Sequence, residues 1–150
     1  MRIGIFFGGP SREREISFAG GKTAFEHLDK TIFEPVPIFV DSFGRFIKVS
    51  EAVLYTHEIR DFFPKSETQG GTYRLYAESF PELATADLPA EIGLLLTPQD
   101  FKQHFDFAFL AMHGPDCEDG AIQGLLEWYR IPYSGPGLMG SAVGIDKILQ

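Results

Sequence analysis

Two short apolar runs, each closed by a glycine-containing turn and followed by a helical pattern, limit the folds open to this chain. Ile3–Phe7 (IGIFF) is continuous and ends at Gly8 and Gly9, and Phe105–Met112 (FDFAFLAM) ends at the His-Gly pair of residues 113–114. Continuous runs of this length are typical of strands that are buried on both faces of a parallel sheet. The pattern therefore predicts an α/β domain.

The residues after the first turn extend this α/β pattern. Apolar positions spaced along one helical face predict a helix with Ser11 as its N-cap. Val36–Val40 is the second predicted strand, and because Pro35 and Pro37 remove two ladder donors, we expect it near a sheet edge. Arg45–Val49 is predicted to pair with it as a short hairpin arm.

The middle of the chain is less regular, and we interpret residues 51–91 as an insertion that carries a possible hairpin. Thr72–Tyr76 and Ile92–Thr97 have strand character, Phe105–Met112 is predicted as a central strand, and Ile131–Tyr133 as a further short one. Strands that alternate with helices in this way predict a Rossmann-like, open, mostly parallel sheet flanked by helices.

Composition narrows the possible partners. The 150 residues carry a net charge of −8, which disfavours non-specific binding to nucleic acid or to anionic membranes. The single cysteine, Cys117, excludes an internal disulfide, and no Cys/His spacing indicates a metal site. We therefore expect a reducing, cytoplasmic setting, with no targeting leader and no apolar run approaching the roughly 18 residues that cross a bilayer.

The loop after Phe105–Met112 carries the first candidate site residues. His113 can donate or accept a proton near neutral pH, and Glu118 follows five residues later. A histidine that only fixes its own loop by hydrogen bonds is the equally simple alternative. Asp119 is predicted to cap the helix that follows, and Cys117 lacks a neighbouring base that would make it a nucleophile.

The turn after the first strand offers backbone N–H groups at a helix start and a charged cluster, Arg12–Glu15. Either this cluster is a solvated helical turn, or one of Glu13 and Glu15 faces a ligand, since alternate residues of a helix point in different directions. A dinucleotide site is a competing interpretation, but charged residues follow Gly9 where a Gly-x-Gly-x-x-Gly fingerprint requires small ones.

Four motifs in order resemble those of the D-alanine:D-alanine ligases of the ATP-grasp superfamily. They are GGPSREREIS at Gly8–Ser17, HGPDCEDGAIQG at His113–Gly124, PYSG at Pro132–Gly135 and SAVGIDK at Ser141–Lys147. The resemblance spans the chain apart from the insertion, yet it covers only the N-terminal part of such a ligase. It implies a substrate-binding, pre-ATP-grasp domain at residues 1–140 and the start of a truncated ATP-grasp domain at residues 141–150.

The resemblance also implies roles for individual residues. Glu13 would act in catalysis by binding the ammonium of the first D-alanine, His113 would orient that substrate, Glu118 would brace the loop, and Lys147 would reach a phosphate of ATP. ATP and Mg²⁺, or Mn²⁺, would be bound mainly by domains that are absent here, so we expect the isolated chain to be inactive. The resemblance further implies that the full-length ligase is a homodimer and that it serves peptidoglycan synthesis.

Three departures from the family pattern concern substrate identity and loop shape. Ala19 and Gly20 occupy the zone where the family often has a polar residue and Ser before Gly. Cys117 replaces the glycine before Glu-Asp, which changes the loop if that glycine uses a positive φ, and Ile145 replaces the usual Met. A D-alanine:D-lactate or related ligase therefore stays open. Outside the family, a nicotinamide-binding domain and a non-catalytic binding module are the alternatives.

Overall fold

A computed structural model of the chain describes residues 1–59, 65–68, 71–74 and 92–148. A five-stranded sheet has the order β6-β3-β2-β1-β7. Its strands are β1 (Arg2–Gly8), β2 (Glu34–Val40), β3 (Phe46–Val49), β6 (Gly93–Leu96) and β7 (Phe107–Leu110). A separate antiparallel pair consists of β4 (Lys65–Thr68) and β5 (Gly71–Arg74). The helices are α1 (Arg14–His27), α2 (Glu51–Thr56), α3 (Phe101–His104), α4 (Ala121–Trp128) and α5 (Leu138–Ile145), with a 3-10 turn at Pro98–Asp100.

The α/β class is confirmed, and the sheet is mixed rather than mostly parallel. β1 pairs in parallel with both β2 and β7, whereas β3 pairs antiparallel with β2 and with β6. Between β2 and β3 the chain reverses tightly at Asp41, whose carboxylate accepts the N–H groups of Phe43 and Arg45, both at 2.9 Å. A turn this short can join only antiparallel strands, which explains the departure from a parallel sheet and confirms the predicted hairpin arm.

The prediction that β2 lies near a sheet edge is wrong, because β1 and β3 flank it. Glu34 donates its N–H to Met1 on the β1 side, at 3.0 Å. Since amides alternate sides along a strand, Pro35 and Pro37 have their missing donors on the other side. β3 pairs only with Ile38–Val40 there, so neither proline interrupts a ladder.

The prediction of a central strand at Phe105–Met112 is wrong in its position, because β7 lies at one end of the strand order β6-β3-β2-β1-β7. The strand predicted at Ile131–Tyr133 is reduced to one parallel bridge, between Ala108 and Tyr133. Pro132 has no N–H to extend a ladder, and the Ser134 hydroxyl oxygen accepts the Leu110 N–H at 2.9 Å in place of a backbone carbonyl. Residues 131–134 therefore run alongside β7 without forming a regular strand.

The interval that we interpreted as an irregular insertion opens with a regular element. α2 packs Leu54 into the core, with 1% of that residue exposed. The hairpin predicted within the insertion is present as β4 and β5, and the strand predicted at Ile92–Thr97 is present as β6. Residues 75–76 of the strand predicted at Thr72–Tyr76 lie outside the described residues.

The core lies on both faces of the sheet because successive β1 side chains alternate between them. Phe6 joins one buried cluster, together with Leu126 of α4, and Phe7 joins the other, together with Phe25 of α1. α1 approaches β1 closely at Gly21, where a Cβ would lie 2.6 Å from the Phe7 Cβ. Among the described residues, no helix has the length and apolarity to cross a membrane.

Candidate functional site

The structure brings the two glycine turns together beyond the carboxyl ends of β1 and β7, which are parallel neighbours. A Cβ added at Gly9 would lie 2.9 Å from the Cys117 Sγ, and one added at Gly114 would lie 2.7 Å from the Ser11 Oγ. Both glycines have positive φ, of +104° and +80°. The turns therefore touch at two points where an added side chain would have to displace its neighbour.

The first turn is held by Ser11 and Arg14. The Ser11 Oγ accepts the Glu13 N–H at 3.0 Å, while the Arg14 side chain donates from Nε to the Ser11 carbonyl oxygen at 2.8 Å and from Nη2 to that of Pro10 at 2.9 Å. Ser11 is not the N-cap of α1, because the cap position falls on Glu13, which makes no side-chain capping bond. The serine instead closes the turn before the helix.

Arg14 is only 2% exposed. It was not predicted as a site residue, because in the sequence it is one member of a charged cluster. Its burial is compatible with its charge because the guanidinium meets the carbonyl oxygens of Pro10 and Ser11. Carbonyls that face inward from a glycine-proline turn need such a donor. An arginine four residues after a Gly-Pro pair is the signal that would have indicated this role.

Glu13 lies at the contact between the turns. A Cβ on Gly114 would lie 3.4 Å from the Glu13 Oε1, and Glu13 lines a cavity of about 400 Å³ between the turns. The cavity is lined by Pro10, Ser11, Arg12, Glu13, Pro115 and Asp116. Glu15 lines a different groove, beside Tyr55 of α2. Of the two candidate glutamates, only Glu13 therefore faces the second turn.

Glu118 ties the end of the second turn to its start. One carboxylate oxygen accepts the Gly114 N–H at 2.7 Å, and the other lies 3.2 Å from the His113 Nδ1. This contact fixes the imidazole through Nδ1. His113 therefore fixes its own loop through a hydrogen bond, which is the simpler of the two interpretations drawn from the sequence.

Asp119 stabilises the start of α4, although it lies one residue before the N-cap position. Its carboxylate accepts the N–H of Ala121 at 3.1 Å and that of Asp116 at 2.8 Å. The N-cap position itself belongs to Gly120, at φ +100°. Asp119 is therefore a structural residue of the loop, as predicted, although it does not occupy the cap position.

His113 and Glu118 line a second cavity, of about 220 Å³, apart from the one that Glu13 lines. Gln123 of α4 also lines it, is 5% exposed, and donates from Nε2 to the Cys117 carbonyl oxygen at 3.0 Å. Gln123 was not predicted as a site residue, because the apolar positions of this helix do not indicate a buried amide side chain. Residues of the same turn line both cavities, Pro115 and Asp116 the first and His113 the second.

Cys117 is 1% exposed, and burial, reinforced by neighbouring carboxylates led by Asp116, raises the pKa of its thiol to about 12. The thiol is thus neutral at physiological pH and unsuited to act as a nucleophile. The left-handed conformation expected at this position occurs one residue earlier, at Asp116, with φ 64°. Cysteine in place of glycine therefore does not force a strained backbone at residue 117.

Comparison with known proteins shows the family. The profile described as "D-ala D-ala ligase N-terminus" matches residues 2–136. The chain belongs to this family. It is 29% identical over 99% of its length to a D-alanine--D-alanine ligase of Geobacillus thermodenitrificans, and 33% identical over 98% to one of Mycolicibacterium vanbaalenii. It covers 38% and 39% of those proteins, so this ligase N-terminal chain spans less than two-fifths of their length.

Solved structures agree with this placement of the ligase domain. The D-alanine-D-alanine ligase from Coxiella burnetii superposes with a TM-score of 0.67 and 26% identity, over 99% of this chain and 40% of that one. The VanG D-Ala:D-Ser ligase from Enterococcus faecalis, at 20% identity and TM-score 0.64 over 99% of this chain and 39% of its own, shares the fold.

Lys147, the remaining predicted site residue of the ligase domain, is not brought to the two turns by any described contact. It lies exposed in the turn after α5, and within the described ranges no hydrogen bond or ion pair joins it to Glu13, His113 or Glu118. Those same ranges bring no three metal-ligating side chains together. One exposed ammonium fits a single phosphate contact, whereas these residues do not form a Mg²⁺ site.

Proposed function

We propose that this chain is the N-terminal, substrate-binding part of an ATP-dependent D-alanine:D-alanine ligase that serves peptidoglycan synthesis and hence cell-wall shape. The observation that carries the proposal is the contact between the two glycine turns, with Glu13 held beside Gly114. Family membership of the chain supports it. A nicotinamide-binding domain is disfavoured by that membership, and so is a binding module without chemistry.

Glu13 is assigned to the ammonium of the first D-alanine. Its carboxylate is exposed at the cavity between the turns, and no described side chain pairs with it. The backbone beneath it is fixed by Ser11 and Arg14, so the side chain starts from a defined position at the cavity. A charge-assisted hydrogen bond to an ammonium is the strongest contact that such a group can make with an amino acid.

His113 and Glu118 are assigned to orientation of the same D-alanine. Glu118 holds the imidazole through Nδ1 and the turn through the Gly114 N–H. Glu13 and His113 belong to the two glycine turns that meet at Gly114, and the substrate would lie beside that contact.

In the proposed reaction a carboxylate oxygen of the first D-alanine takes the γ-phosphoryl group of ATP, and ADP leaves. The neutral amine of the second D-alanine then attacks the acyl carbon, phosphate departs, and the nitrogen loses one proton as the amide forms. This chain contributes binding and orientation, which can supply much of the acceleration of such a step. Lys147 would contact one ATP phosphate, and Mg²⁺ or Mn²⁺, bound outside this chain, would neutralise phosphoryl charge.

The wider assembly is part of the same proposal. We place the ATP-grasp half after residue 140, with residues 141–150 as its beginning, although α5 runs across that boundary. A cytoplasmic homodimer is the expected form of the whole ligase. The fold shared with a D-Ala:D-Ser ligase leaves the second substrate open, including D-lactate.

Replacement of Glu13 by Gln in the full-length ligase tests the assignment. Loss of one charge-assisted hydrogen bond, worth about 1.5–3 kcal/mol, should lower kcat/KM for the first D-alanine by about 10- to 100-fold and leave the KM for ATP nearly unchanged. Glu15→Gln, which alters the next exposed glutamate of the same segment, is the matched control. Equal losses in both variants, or none in Glu13→Gln, would remove Glu13 from the site.

An assay of the isolated chain tests whether the nucleotide and metal contacts lie outside it. Because the nucleotide and metal contacts are placed outside it, it should bind D-alanine weakly and release no ADP from ATP. An ADP-release assay with and without D-alanine measures this. D-alanine-dependent turnover by these 150 residues alone would contradict the proposal.

A further inference from the structure

We propose that Glu127 of α4 caps the N-terminus of the neighbouring helix α5 and so acts as a positioning residue for the turn that carries Lys147. The capping itself depends only on the structure. Its consequence for ATP rests on the proposed function, in which Lys147 contacts a phosphate.

A single carboxylate oxygen of Glu127 receives two hydrogen bonds. The Tyr133 hydroxyl donates to Oε1 at 2.6 Å, and the Leu138 N–H donates to the same oxygen at 3.2 Å. Leu138 is the first residue of α5, and the cap position before it is Gly137, which has no side chain to offer. Glu127 therefore supplies the acceptor that an N-cap side chain would normally provide.

The approach of the two helices makes this contact possible. A Cβ at Gly124 of α4 would lie 2.9 Å from the Leu138 Cδ1, and a Cβ at Gly120, the N-cap of α4, would lie 3.2 Å from the Leu138 carbonyl oxygen. Glu127 follows Gly124 by three residues and so lies on the same face of α4. The first turn of α5 thus packs on the glycines and meets a carboxylate at its end.

Charge favours this arrangement. The Tyr133 hydroxyl and, after it, the Leu138 N–H lower the pKa of the Glu127 carboxyl, while burial and then Glu127 raise the pKa of Tyr133 to about 12. Tyr133 is the titratable side chain that the described residues place against Glu127. At neutral pH the carboxylate is therefore ionised and the tyrosine protonated, and a negative charge at a helix N-terminus is stabilising.

The capped helix is short, so its first turn determines where its last turn lies. α5 has eight residues, and Lys147 follows its end at Ile145 by two positions. Ser141 adds a second attachment, since its hydroxyl donates to the Pro136 carbonyl oxygen at 3.3 Å. Release of Glu127 would remove the acceptor of the Leu138 N–H and so loosen the start of the helix that precedes Lys147.

Amide hydrogen exchange of the 150-residue chain by NMR tests the cap directly. Glu127→Ala should speed exchange at Leu138 and in the first turn of α5 by about 5- to 10-fold, the range of a lost N-cap. Glu127→Gln keeps an acceptor oxygen and should retain most of the protection. Exchange at Leu138 that is unchanged in Glu127→Ala would overturn the proposal.

The pH profile separates a carboxylate cap from simple packing. Because the folded pKa of Glu127 is lowered, the protection is present above the ordinary value of 4.5 and is lost as pH falls through the folded pKa. The Gln variant should show no such step. A step of equal size in the Gln variant would show that another group controls α5 and would overturn the assignment.

The positioning role is tested in the full-length ligase. Glu127→Ala should raise the KM for ATP several-fold more than the KM for D-alanine, and Glu127→Gln should restore it. Equal changes in both KM values, or none, would overturn the positioning role. If the unaltered ligase forms no ADP with D-alanine, the proposed function fails instead, and the exchange profile still decides whether Glu127 caps α5.

Discussion

Ser11 and Gly114 lie so close together that a Cβ on Gly114 would come within 2.7 Å of the Ser11 Oγ. Ser11 belongs to the turn after β1 and Gly114 to the turn after β7, so their contact sets the spacing between the two halves of the candidate site. Gly114 also has φ +80°, where side chains with a Cβ are strained. A side chain at residue 114 is therefore disfavoured for two independent reasons, the contact with Ser11 and the positive φ.

Gly114→Ala should be considerably more destabilising than a glycine change that meets only one of these constraints. Gly44→Ala is the matched control, because Gly44 has φ +74° with no atom within 4 Å of an added Cβ. The control should cost about 1–2 kcal/mol for the backbone strain alone. Gly114→Ala should cost about 1–3 kcal/mol more, from overpacking, in urea unfolding. Equal costs would show that Ser11 yields without penalty.

The sequence predicted this pairing of turns because it depends on local signals. Both apolar runs end in glycine, and parallel strands bring their carboxyl ends to one edge of a sheet. The inward position of Arg14 was not predictable in the same way, since its donors meet carbonyl oxygens that point inward only once the turn has formed. Likewise, the sequence could not show that Pro35 and Pro37 fit in an inner strand, because this depends on which residues of β2 pair with β3.

Glu118→Ala should destabilise the second turn, because it leaves the Gly114 N–H without its acceptor at 2.7 Å. Loss of a partner for a buried donor costs about 1–3 kcal/mol. Glu118→Gln retains one acceptor oxygen and should cost less, and Glu26→Ala, at an exposed position of α1, should stay within about 0.5 kcal/mol. Denaturant midpoints measure all three. A Glu118→Ala variant as stable as Glu26→Ala would mean that water replaces the carboxylate.

Cys117 should resist alkylation in the folded chain, because its thiol is buried and its pKa is raised to about 12. Iodoacetamide at pH 8 should therefore label it only as fast as the chain opens, and at least about 10-fold faster in denaturant. The chain has no other cysteine, so the total adduct measured by mass spectrometry reports this residue alone. Rapid labelling under native conditions would contradict the burial.

Glycine substitutions in the same loop should have opposite effects at neighbouring positions. Asp116→Gly relieves a left-handed residue with φ 64° and should be neutral or stabilising by up to about 1 kcal/mol. Cys117→Gly restores the family residue but removes a side chain from the core, and should cost about 1–3 kcal/mol. Thermal unfolding of the two variants gives the sign. A gain from Cys117→Gly would mean that backbone strain at residue 117 outweighs core packing.

Acid should weaken the ion pair that joins the start of β1 to the residue before β7. The Arg2 guanidinium lies 2.7 Å from the Asp106 carboxylate, and the hydrogen bond from this side chain, followed by that from the Arg2 N–H, lowers the pKa of Asp106 from 3.8 to about 2. Because the folded pKa is the lower one, the stabilisation is complete above 3.8 and is lost as pH falls towards 2. Asp106→Asn should therefore flatten the fall of Tm over that interval, whereas Glu26→Gln should leave it unchanged. The pair is exposed and screened by salt, so the difference in Tm between Asp106→Asn and the unaltered chain should shrink at high ionic strength. If the Tm of Asp106→Asn falls with pH in parallel with that of the unaltered chain, the ion pair is excluded as a source of acid sensitivity.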